Sequence, residues 1–189
     1  DVSGKKSHSP SGTVFIKGRS VSHSGKIFAR GRSGGKVNII SKDSIKLNGS
    51  ILAQGSIDKG GSVIFMSEKS INSTPKVVVD VSAPNKAGEI RSLAKTTNTS
   101  SGLFKANSSA GKGGKIDLTG NSVQISKSEI SATGNKMGGK VRIGGEYLGG
   151  KKLTNMDNKN KQGFVTRFGD QPLIQNAKQT VVTADTNID

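Results

Sequence analysis

The chain has 189 residues, of which 31% are hydrophobic and 4% aromatic, with a formal net charge of +16. It has no cysteine, which excludes disulfides and thiolate chemistry, and no run of 18 apolar residues that could span a membrane as a helix. So few apolar residues fall short of an ordinary globular core and would also suit a disordered chain, so patterning has to decide between order and disorder.

Residues 1–10 are polar and read as a lead-in. From residue 11 a phrase recurs, a small residue and Gly followed by x-[Val/Ile]-x-apolar. The pairs begin at Ser11, Gly34, Gly60, Ala87, Gly113 and Gly138, at intervals of 23, 26, 27, 26 and 25 residues. The apolar positions they introduce are Val14 and Ile16, Val37 and Ile39, Val63 and Phe65, Ile116 and Leu118, and Val141 and Ile143. The unit at Ala87 is the poorest copy, with Ile90 followed by Ser92. A second signal comes nine or ten residues into most units, at Ser20-Val21, Ser44-Ile45, Ser70-Ile71 and Ser122-Val123. A third follows at Ile27-Phe28-Ala29, Ile51-Leu52-Ala53 and Ile130-Ser131-Ala132.

Short alternating runs punctuated by Gly, Asn and Ser predict three strands per unit. Asn72-Ser73-Thr74-Pro75 lengthens one turn ahead of the β-branched run Val77-Val78-Val79, and 95–102 has loop composition. After Gly144-Gly145-Glu146-Tyr147-Leu148-Gly149-Gly150 the period is lost. Residues 151–178 carry Phe164, Val165, Phe168, Leu173 and Ile174 among polar residues, and are expected to form a loop packed on the flank or end of the repeat. Strand character returns at Thr180–Ala184, and Ile188 is placed to open a further strand.

A unit made only of short strands cannot bury its apolar face alone and must stack on its neighbours. The expected fold is an all-β parallel β-helix with coils of about 23–27 residues. It has six coil starts over 11–143, a turn and extended loop over 144–178, and the start of a further coil at 179–189. Val14, Val37, Val63, Ile90, Ile116 and Val141 are expected to stack as one inward ladder, with glycine allowing positive φ at the corners. Because the pattern breaks off at Asp189, the expectation is one solenoid segment, 1–189, cut from a longer protein. Any export signal would lie outside it, since the chain begins at Asp1 without an apolar leader.

The repeat Gly-Gly-x-Val-x-Ile…Ser-Ile…Gly-x-Ile-x-Ala resembles the filamentous-haemagglutinin-type exoproteins of bacterial two-partner secretion. So does the more specific phrase formed by Gly144, Gly145, Glu146, Tyr147, Gly149, Asn176, Ala177, Val182, Ala184 and Ile188, although an enlarged loop separates its two halves here. The resemblance implies a right-handed helix and a virulence-associated adhesin or large exoprotein, secreted or held at the bacterial cell surface. It also implies an outer-membrane partner transporter, and it brings no catalytic residues.

Searches for chemistry return little. His8 and His23 are isolated, and Asp58, Asp80 and Glu89 fall in different units, so neither a metal site nor an acid pair of the kind a polysaccharide-processing β-helix needs is assembled. No catalytic residue, cofactor or metal ligand is expected, and the chain is expected not to be an enzyme. Asn48, Asn72, Asn98 and Asn107 begin Asn-x-Ser/Thr sequons.

The excess of basic residues is the clue to a partner. Lys36, Lys115 and Lys140 hold one position in their units, beside the inward Val or Ile, and Arg142 follows two residues on. Alternation sends all four outward, where they would either keep a repetitive protein soluble or bind a polyanion such as a sulfated glycan of a host cell surface. Basic and aromatic residues are not interleaved as stacking platforms, which argues against nucleic acid as a specific partner. An adhesin, a passive stalk presenting a distal domain and a polysaccharide-processing enzyme remain the alternatives.

Overall fold

A computed structural model describes residues 1–4, 9, 11–145, 167–168, 171–172 and 177–189. The described residues contain strands and no helix; apart from the short antiparallel pair Arg167–Phe168 and Gln171–Pro172, the strands stack in parallel as a β-solenoid of three sides. On the first side, residues 13–18, 36–41, Ser62–Ser67, Glu89–Ala94, Lys115–Thr119 and Lys140–Ile143 pair edge to edge. The anticipated ladder is present: Val14 pairs with Val37, then Val63, Ile90, Ile116 and Val141 follow in register. Its four central members are fully buried.

The second side stacks Val21, Ile45, Ile71, Asn98, Val123 and Thr180, and the third stacks Ile27, Ile51, Val79, Phe104, Ile130 and Ile188. Each coil adds only a few inward side chains, so one narrow core runs the length of the described stack. That is why so small an apolar fraction suffices.

Three findings differ from the sequence expectations. Residues 97–105 form a strand rather than a loop. Its turn-like composition reflects a polar patch inside the core. Asn98 donates through Nδ2 to the carbonyls of Ser92 (2.8 Å) and Thr119 (3.1 Å). Its Oδ1 accepts from the hydroxyls of Ser92 (3.1 Å) and Ser100 (3.0 Å). Every hydrogen-bonding valence of this fully buried amide is used, so polar residues are tolerated where other coils carry Ile or Leu.

Second, Gln179–Val182 and Asn187–Ile188 pair with residues 122–130 as the second and third sides of the coil that Lys140–Ile143 opens. They complete the sixth coil instead of starting a further one.

Third, the Gly-Gly corners do not use positive φ. Among the described glycines only Gly102, Gly144 and Gly145 do. The corners need glycine because the chain passes too close to itself. A Cβ on Gly60 would lie 1.7 Å from the carbonyl oxygen of Val81, and one on Gly114 would lie 2.1 Å from that of Gly88. Most of 151–178, expected to pack on a flank or end, and positions 146, 147, 149 and 176 of the family phrase lie outside the described residues.

Candidate functional site

Of the three outward rows on the first side, the outermost is the most exposed. In that row Thr13, Lys36, Ser62, Glu89, Lys115 and Lys140 follow one another coil by coil. Lys36, Lys115 and Lys140 are exposed there, as strand alternation requires. The next two outward rows are buried from the second coil to the fifth, but for the half-buried Arg91, and are open at the first coil, where Phe15 and Lys17 are exposed. One contains Asn38, Ile64 and Asp117; the other contains Ile40, Met66, Leu93 and Thr119.

Arg142 belongs to the first of these buried rows, so it stands apart from the three lysines. Its Nε and Nη2 donate to the two oxygens of Asp117 at 2.5 and 2.8 Å. The Asp117 side chain is 1% exposed and that of Arg142 17%. Arg91, one coil earlier, flanks Asp117 from the other side at 3.9 Å and also holds Glu89 at 2.8 Å. Glu89, Arg91, Asp117 and Arg142 therefore form one alternating chain of charges across three coils. A bidentate arginine–carboxylate pair in a buried setting is a structural brace, because leaving either charge alone there is costly.

The structure adds a second lysine ladder to the one expected. Lys59 bridges to Lys86 and Lys86 to Lys112, in parallel, at the corner that leads into the first side. All three are exposed. The sequence signal for it is Lys-Gly-Gly at 59 and 112 and Lys-Ala-Gly at 86, at intervals of 27 and 26 residues. Lys36, Lys59, Lys86, Lys112, Lys115 and Lys140 have no ion-pair partner among the described residues. Between the two ladders lies a shallow groove of about 330 Å³, floored by the Gly60-Gly61, Gly88 and Gly113-Gly114 backbone.

The acids of the described residues are mostly occupied. The Lys69 ammonium, then Arg19, holds the Asp43 carboxyl below the usual carboxylate range, and Arg32 does the same for Asp58. Asp80 accepts from Gln54 Nε2 and from the Ser82 amide. Among the described residues no group of three His, Asp or Glu is arranged to hold a metal ion. His23 lies against the Ser50 carbonyl at 3.4 Å.

A larger groove of about 770 Å³ runs along the adjacent corner over Gly31, Gly55 and Ala83. Its amides are partly committed: Gln54 to Asp80, and Asn107 Oδ1 to the Ser131 hydroxyl and the Thr133 amide. Of the four sequons, Asn98 is fully buried and Asn107 is engaged in this way, while Asn48 and Asn72 are exposed.

Comparison of the chain with models of protein families, with curated proteins and with solved structures gives no match.

Proposed function

We propose that this chain is a non-catalytic segment of a secreted bacterial exoprotein of the filamentous-haemagglutinin type, working in adhesion by binding linear polyanions through its basic corner. The observation that carries the reading is the pair of lysine ladders at one corner, with six exposed lysines and no carboxylate partner among the described residues. Stacking at about 4.8 Å per coil concentrates these charges into a field that attracts polyanions at long range. The non-catalytic part is supported by the acids: Asp43, Asp58, Glu89 and Asp117 each face arginine or lysine, and so are poorly placed for proton transfer. Delivery across the outer membrane by a partner transporter, and display at the cell surface, follow from the family resemblance of the repeat.

Retention of the purified chain on heparin and on neutral dextran, eluted with a salt gradient, tests the reading. Salt-sensitive retention on heparin alone is expected, because released counterions supply much of the driving force. Equal, negligible retention on both would overturn it and leave the solenoid as a passive stalk.

A further inference from the structure

We infer that the two lysine ladders form one unbroken anion track, and that it seats a linear acidic polysaccharide lengthwise over the glycine corner at about one charged sugar per coil. This rests on the polyanion reading above and specifies its ligand.

The ladders complement each other level by level. At the second coil the track has Lys36. At the third and fourth coils that row carries Ser62 and Glu89, and there Lys59 and Lys86 stand three residues earlier, across the glycines. At the fifth coil Lys112 and Lys115 flank the floor together, and at the sixth Lys140 stands opposite Met137. Every level from the second to the sixth thus has a cation. Four coil steps make the track about 19 Å long.

Glu89 does not break it, because its carboxylate is turned to Arg91 (2.8 Å) and the Ser62 hydroxyl (3.3 Å). Glycine between the ladders lets a ligand lie against the backbone while flexible lysine stems close on it from both sides.

The geometry also selects the class of polymer. The corner amides are spent on bonds within and between coils, such as Gly60 N to the Lys86 carbonyl and Lys115 N to that of Gly88, so there is no free edge for an added peptide strand. A DNA duplex carries a charge every ~1.7 Å of axis, about three for each lysine level. No aromatic side chain lines the groove to stack single-stranded bases. An extended chain of pyranose rings advances one sugar in close to one coil spacing, so a uronate or sulfate on each ring meets a lysine at each level.

Oligogalacturonates of increasing length serve as the probe, with duplex DNA of equal total charge as competitor. Affinity of the unmodified chain should rise steeply up to about five sugars, the number that spans the track at the coil spacing, and only slowly beyond. The triple variant Lys59→Ser/Lys86→Ser/Lys112→Ser should bind about tenfold more weakly, through loss of three exposed ion pairs. Its salt slope should fall by about 2. The variant Lys26→Ser/Lys46→Ser/Lys76→Ser removes the same charge from exposed positions off this corner and should change little. Adding a cation with Met137→Lys, at the exposed position that continues the Lys59–Lys86–Lys112 row into the sixth coil, should tighten binding, a gain that misfolding cannot mimic. Equal losses in the two triple variants would overturn the track while leaving polyanion binding intact. Absence of binding at every length would overturn both, and preferential binding of the duplex would overturn the polysaccharide assignment.

Discussion

Two glycines that look alike in the repeat should respond oppositely to the same substitution. Gly114 is the second glycine of the fifth corner, and a Cβ there would sit 2.1 Å from the Gly88 carbonyl oxygen and 2.8 Å from the Ala106 side chain. Gly138 is the first glycine of the sixth corner, and a Cβ there would meet nothing within 4 Å. Relief at Gly114 requires the fifth coil to move away from the fourth by most of an ångström. That strains the bonds from Gly114 N to the Ala106 carbonyl (2.8 Å) and from Lys115 N to that of Gly88 (3.0 Å). Overpacking costs about 1–3 kcal/mol and each weakened backbone bond about 1 kcal/mol, so Gly114→Ala should lose about 3–5 kcal/mol. At about 2–4 °C per kcal/mol for a chain of this size, its thermal midpoint should drop by roughly 6–20 °C. Gly138→Ala should be neutral or gain up to about 1 kcal/mol, because alanine restricts the unfolded chain. Thermal melting followed by far-UV circular dichroism measures both. Equal midpoints for the two variants would refute close approach as the reason for the Gly-Gly corners.

Three further outcomes are expected. Ile116→Asn puts an amide with no partner into the fully buried ladder and should cost on the order of 1–3 kcal/mol or more; an unchanged midpoint would mean that the strand register is off by one. Asn98→Val strips partners from the Ser92 and Ser100 hydroxyls and from two carbonyls, and should destabilise by a similar amount. Adding Ser92→Val should recover part of that loss, and a double variant worse than the sum of the singles would contradict the network. Asp43 and Asp58 have carboxyls held below their ordinary range, so the stability they contribute is present above the unfolded value near ~3.9 and is lost as pH falls through the lower folded values. The midpoint should therefore be level from about pH 7 to 5 and fall below about 4, less so in Asp43→Asn/Asp58→Asn; a fall beginning near pH 6 would contradict this assignment to the two carboxylates.

The coil period, the three strands per coil and the inward ladder from Val14 to Val141 were all legible along the chain. Each of these is a one-dimensional property: in a solenoid a residue's neighbours are the residues one period away, so spacing along the chain is already contact in space. For the same reason Lys36, Lys115 and Lys140 could be placed on one edge. Lys59, Lys86 and Lys112 have the same period, but they sit at a corner, where alternation assigns no direction.

Three other matters depend on how the coils pack. Arg142 alternates outward like the lysines, yet its row is buried and its charge belongs to Asp117; burial of an outward row depends on what lies over it, which periodicity does not encode. The polar fourth coil reads as a loop because composition cannot reveal that Asn98, Ser92, Ser100 and the Thr119 carbonyl satisfy one another across two coils. The Gly-Gly corners look like sites of unusual φ until the stacked backbones are placed, when a carbonyl oxygen of the neighbouring chain is found in the space a Cβ would take.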